Sequence, residues 1–330
     1  MKPTEYRGRR AVQIENEHLR LTATLEGGHI AEILHKSSGI NPLWVPPWPS
    51  IEPSSYDRRR HPEYGDDAES KLLAGILGHN LCLDVFGPPS SDEAHAGLTV
   101  HGEASINPYT AETNGDELVM RTTLAAAQLK FERRLRLRTH QVLFQETVEN
   151  LSILDRPVAW TQHVTLGPPF VEPGHTRFEV SATHSMVIES DYDGNYLEPG
   201  AKFVWPDAPG KGGKSVNLRT FNNASSSAAF TTHLMQDPAY FVAVHRGVSF
   251  GYRWRRQDFP WLGIWEENRS RMQPPWNGKT ITRGMEFGVS PFPETRRKMI
   301  ERRNLFDTPG YLWLPAKALV TVEYEAFFEA

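Results

Sequence analysis

The stretch LKFERRLRLRTHQVLFQETVENL, Leu129–Leu151, decides the fold class. Leu129, Phe131, Leu135 and Leu137 alternate with Lys130, Glu132, Arg134, Arg136 and Arg138, interrupted only by Arg133. Strand side chains change face with a period of two, so this run reads as a strand with one buried and one wet face. Beyond Thr139-His140-Gln141 the alternation resumes, with Val142, Phe144 and Val148 on one face and Gln145, Thr147 and Glu149 on the other. Two such runs across a short polar break predict a long antiparallel hairpin.

The same period governs the rest of the chain. In FVAVHRGVSFGYRW two β-rich runs, Phe241–Val244 and Val248–Trp254, flank a His245-Arg246-Gly247 turn. The last run, ALVTVEYEAFF, sets Val320, Val322 and Tyr324 opposite Thr321, Glu323 and Glu325. Helical patterning is scarce; in PETRRKMIERRNLF, Pro293 can open a short helix with a narrow Met299-Ile300 stripe. Two stretches, 41–67 and 198–214, lack a period and read as loops. Trp44, Trp48, Tyr56 and Tyr64 in the first argue against plain disorder, which is aromatic-poor. The expected architecture is all-β: one large antiparallel sandwich with a few short helices, a single domain over 1–330.

A chain of 330 residues can bury a large core. Its net charge of -4 gives no reason to expect nucleic acid, and the arginine runs at 57–61 and 296–303 are short, as solvated faces are. Cys82 is the only cysteine, so no intrachain disulfide forms, and its setting in LCLDVFG is that of a core residue. The N-terminus lacks an apolar core of signal-peptide length, and no run approaches the roughly 18 apolar residues of a membrane span. The expectation is a soluble, cytoplasmic protein with no membrane partner.

Thirteen histidines occur without HxH, HExxH or CxxC, and there is no GxSxG, GxGxxG or GxxxxGK[ST]. A metal site would have to be assembled from His79, His95 and His101. Histidine–carboxylate pairs for general acid–base work stand beside it. His163 lies in WTQHVTLGPPF, Trp160–Phe170, on a strand face with Thr161 and Thr165; it is either a catalytic acid or an ordinary wet-face residue. His101 ends GLTVHGEA, where Gly102 permits a tight turn or a close backbone approach. Glu286 in TITRGMEFGVSPF shares a face with Gly284 and Gly288, which leaves room for a ligand beside its carboxylate, although a wet-face glutamate has the same pattern. In FPWLGIWEENRSR, Trp261 and Trp265 share a face with Glu267, while Leu262 and Ile264 share the other with Glu266. Tryptophans beside carboxylates suit a sugar, whose ring faces stack and whose hydroxyls need hydrogen bonds; a core strand ending in a charged loop is the alternative.

Taken in order, GGHIAEI (27–33), GHNLCLDVFGPP (78–89), GLTVHGEA (97–104), WTQHVTLGPPF, WLGIWEEN and TRGMEFGVSPFP resemble the aldose 1-epimerase, galactose mutarotase-like superfamily. The resemblance runs from about residue 20 to 328. It implies a β-supersandwich and a cofactor-free site for a small-molecule carbohydrate. His163 would be the acid, Glu286 the base and His101 a substrate-orienting histidine. Asn80, together with Glu266 and Trp265 from the tryptophan–carboxylate stretch, completes the expected substrate-binding set, with no metal. Gln162 stands where the family usually has asparagine, and Gly284-Met285-Glu286 stands for its Pro-Gly-Glu. The family's sugar-binding Arg and Asp lack clear counterparts, Asn80 lying in the neighbourhood of the first. A non-catalytic carbohydrate-binding sandwich, stacking sugars on Trp261, Trp265 and the 41–67 loop, is the alternative reading.

Overall fold

The computed structural model describes residues 1–329. The predicted hairpin forms, with Leu129–Arg138 and Gln141–Asn150 paired antiparallel from Leu129↔Asn150 to Arg138↔Gln141. Arg133 does not interrupt the inward face. It lies on that face, buried, directly opposite Glu146, and its Nε donates to the Glu146 carboxylate at 2.6 Å. The charge is tolerated inside because an ion of opposite sign meets it at the same rung.

This hairpin sits in an eight-stranded antiparallel sheet, which also contains Ala239–His245, Val248–Trp254 and Leu319–Glu329. Arg246 and Gly247 both take positive φ, +48° and +81°, so the second hairpin closes with a two-residue turn of the twist that suits paired strands. A twelve-stranded sheet forms the second layer. Its middle runs His79–Asp84, Arg156–Leu166, Ile281–Gly288, Trp261–Asn268, Ser227–Met235. Phe131, Phe144 and Val148 of the smaller sheet pack with Trp160, Val164 and Leu166 of the larger, and this inter-sheet layer is the main core. The architecture is the expected antiparallel sandwich.

Helices are few and short. The one predicted from Pro293 begins three residues later, at Arg296–Arg302, where the Thr295 hydroxyl accepts from Lys298 N–H. The stretch 198–214 is less loop-like than its composition implied, since Lys202–Val204 and Asp207–Pro209 are short strands. No described helix is long and apolar enough to cross a membrane.

The outer face of the large sheet departs most from expectation. Loops cover it, so both faces of Arg156–Leu166 are buried and the anticipated wet face is absent. Two apolar clusters lie on that side. Cys82, Phe230, Trp261 and Phe292 form one; Trp44, Trp48, Tyr64, Leu72 and Trp276 form the other. The 41–67 aromatics are thus spent on one another and on Trp276, with Trp44 stacked parallel to Trp276 at 6.0 Å, and are not a platform for sugars. Trp261 is fully buried and donates to Pro309 O, so it is not available for stacking either. A cavity remains between the two clusters.

Candidate functional site

The ladder of the large sheet places one row of side chains across the outer face: Asn80, His163, Glu286 and the vacant position of Gly263. Directly paired residues of antiparallel strands point to the same side, so the sequence-distant His163 and Glu286 become neighbours. Their side chains meet, His163 Nε2 lying 3.2 Å from Glu286 Oε1. Both are almost entirely buried, yet both line the cavity of about 290 Å³ between the apolar clusters. His163 Nδ1 is held by the Thr165 hydroxyl at 2.9 Å, which orients the ring.

Gly284 explains how the carboxylate reaches that place. A Cβ there would overlap Glu286 Oε1, so the missing side chain makes room for the carboxylate itself. The glycine was expected to leave space for a ligand; Glu286 occupies that space instead.

His101 approaches from the loop side, its ring centroid 4.9 Å from that of His163. It holds φ +70° and Gly102 φ +80°, and a Cβ on Gly102 would strike Leu83 O. The close backbone approach read at Gly102 is therefore present, and it sets His101 against the central strands. His101 Nδ1 donates to Phe86 O at 2.6 Å, leaving Nε2 as a free acceptor.

Burial controls the protonation of this group. Desolvation disfavours charge, and it raises the Glu286 carboxyl to about 8, with the Arg271 charge pulling weakly the other way. Desolvation, with His101 nearby, holds the His163 imidazole well below its ordinary range. His101 is lowered to about 4, chiefly by burial, against its bond to Phe86 O. At neutral pH the His163–Glu286 pair therefore carries one proton between two contacting groups.

The remaining sequence candidates separate. Trp265 lines the cavity, its ring edge-on to His163 at 6.1 Å. Asn80 shares the face of His163, but it is buried beneath the cavity with its Oδ1 accepting from the Ser105 hydroxyl at 3.3 Å. Glu266 points to the opposite side of the sheet, ion-paired with Arg283 at 2.5 Å and accepting from Tyr196 OH at 3.1 Å. The strand period had placed Glu266 away from Trp265, and that face proves to be the core. Glu267 is the acid on the cavity side, and it accepts from Ser270 N–H at 2.6 Å and from Arg271 N–H at 3.2 Å. His79 lies between the sheets and His95 on an exposed helix, so the three histidines proposed for a metal do not come together. No cluster of metal-ligating side chains occurs among the described residues.

Sequence reasoning missed Arg271, Trp276, Tyr192 and Glu69, all of which line the cavity. Arg271 stacks over Trp276 (4.7 Å) and Trp265 (5.4 Å) and donates to Glu69 at 3.3 Å. These residues sit on aperiodic loops, where no local pattern marks a side chain that will turn toward a distant strand.

No family model matches the sequence, and no curated protein sequence matches it significantly. Solved structures do match the fold. A galactose mutarotase-like protein from Clostridium acetobutylicum superposes with a TM-score of 0.65 at 15% identity, covering 99% of this chain and 98% of that one. A Klebsiella pneumoniae protein provisionally named an aldose 1-epimerase gives 0.70 at 14% identity, over 97% of this chain and 79% of that one. The fold is that of the galactose mutarotase-like proteins. At such identities the likeness concerns the backbone and leaves the chemistry to be argued from the side chains.

Proposed function

We propose that this protein interconverts the α and β anomers of an aldose by acid–base catalysis at the anomeric carbon. The observation that carries this reading is the contact of His163 and Glu286 at the floor of a cavity of monosaccharide scale. Anomerisation requires one group to remove the C1 hydroxyl proton and another to protonate the ring oxygen. The C1–O5 bond then breaks, the open aldehyde rotates about C1–C2, and the reverse transfers close the ring on the other face. A pair holding one proton supplies one donor and one acceptor, and returns to its starting state when the ring has closed. Glu286 as base and His163 as acid is the assignment implied by the family resemblance. Burial rests the proton on the carboxyl, so this assignment requires its transfer across the 3.2 Å contact to the imidazole as the sugar binds. Trp265, which lines the cavity, offers apolar ring surface to the sugar, and His101 Nε2 an acceptor for a hydroxyl.

The test is anomer exchange measured by NMR over a panel of free and phosphorylated aldoses, for wild type, His163→Ala and Glu286→Gln. Exchange accelerated by wild type and lost in both variants supports the reading. A sugar that binds while its exchange rate is unaffected makes the protein a carbohydrate-binding module.

A further inference from the structure

The composition of the cavity wall narrows the substrate, provided the anomeric reaction above is the one performed. Exposure orders the lining. His163 and Glu286 are 5% and 2% exposed and form the floor. Tyr192 is 36% exposed, and Glu69 and Arg271 are also partly exposed; these form the rim. Between them the wall is hydrocarbon: Leu72, Leu73, Ile76 and Phe230 are each at most 5% exposed. None of the described residues facing the cavity is Asn, Gln, Ser, Thr, Asp or Lys.

A hexopyranose presents its C1 hydroxyl and ring oxygen to the catalytic pair, and four further hydroxyls remain. Beyond the catalytic pair, the lining side chains that carry polar atoms are His101, Trp265 and Trp276 within and Tyr192, Glu69 and Arg271 toward the rim. Arg271 at the rim is already engaged by Glu69 at 3.3 Å, with Glu267 at 3.8 Å. A hydroxyl buried against aliphatic carbon loses its water without a replacement partner, and that loss outweighs the dispersion attraction of the wall. A methyl or methylene at the same place is stabilised by leaving water.

We infer that the substrate is an aldose whose end remote from C1 is deoxygenated or carries a hydrocarbon substituent, in preference to a fully hydroxylated hexose. The Leu72, Ile76 and Phe230 wall receives that apolar end while His163 and Glu286 work on C1 and the ring oxygen.

The experiment compares galactose, 6-deoxygalactose and 6-O-butylgalactose, by NMR anomer exchange and, separately, by calorimetric binding to the wild-type protein. The expected result is a kcat/KM at least about tenfold higher for the two apolar sugars, the scale on which one buried methyl group discriminates. The variant Ile188→Asn, which places an amide on the half-buried part of the wall, should reduce that preference. Equal or better turnover of galactose overturns the inference and leaves the reaction standing. No exchange of any sugar, with 6-O-butylgalactose still bound about tenfold more tightly than galactose, overturns the reaction and leaves standing only the preference of the cavity for an apolar sugar end. Neither exchange nor preferential binding overturns both.

Discussion

The two faces of the Arg156–Leu166 strand each carry a buried polar cluster, and they differ in how fully it is satisfied. On the inter-sheet face, Gln162 donates to Glu146 at 2.6 Å and accepts from His79 at 3.0 Å, while Arg133 and the Tyr324 hydroxyl, at 2.6 and 2.7 Å, both donate to Glu146. Arg133 also reaches Gly28 O, and His79 turns its other nitrogen to Tyr252. One residue along, on the outer face, His163 and Glu286 have each other and one threonine hydroxyl, beside a cavity. A closed network of partners fixes a core, whereas buried groups with unused valences facing a cavity are poised to act on something else. Gln162 is thereby explained as a member of the closed set, on the face away from the site.

The contrast can be broken by substitution. Removing the open pair should affect catalysis most: Glu286→Gln or His163→Ala is expected to lower anomer exchange by about 10²–10⁴-fold while the protein stays folded. Glu286→Gln should also gain stability over wild type as pH rises. The folded pKa of Glu286 lies above that of the unfolded chain, so its contribution is full below the usual carboxylate range and is lost on the way up through about 8. Denaturation of both proteins across that window reads the difference, and identical pH dependence would contradict the burial argument.

Disturbing the closed set should do the reverse. Glu146→Ala leaves the Arg133 guanidinium buried without its counter-ion, and a loss of about 3–5 kcal/mol in unfolding free energy is expected. Exchange by the fraction still folded should change only a few-fold; a selective loss of activity would mean that the two faces are not separable.

A smaller effect tests the geometry alone. Gly284→Ala puts a methyl where Glu286 Oε1 now lies and must displace the carboxylate. Misplacement on the order of 1 Å costs up to about 10²-fold, so exchange should fall by about that much, with a melting temperature close to that of wild type. The smallest effect is the pH profile. Exchange should fall roughly tenfold per pH unit above about 8, as the proton shared by the pair is lost, and should show no decline on acidification through the usual histidine range.

Much of this was legible in the chain. The hairpin at Leu129–Leu151 followed from alternation, because a strand repeats every two residues whatever packs against it. His163, Glu286 and Trp265 were separable from their sequence neighbours by the same period, and Glu266 was already on the other face from Trp265. That the latter face was core, and that His163 was buried at all, could not be read locally. Alternation states which residues share a face but not what will cover it, and the cover comes from loops outside the strand itself, among them 41–67 and the segments carrying Tyr192 and Trp276. The 41–67 aromatics illustrate the same limit: their composition excluded disorder, but only packing against Trp276 revealed that they face inward.

By itself, then, the sequence determined strands, their faces and the residue types that could exchange protons. Tertiary structure decided the rest: the rung that joins His163 to Glu286, the loops that desolvate them, and the aliphatic wall above them. The reason is physical. Side-chain direction is a property of the local backbone, whereas proximity and dielectric environment belong to segments brought together only when the sheets have paired and the loops have closed over them.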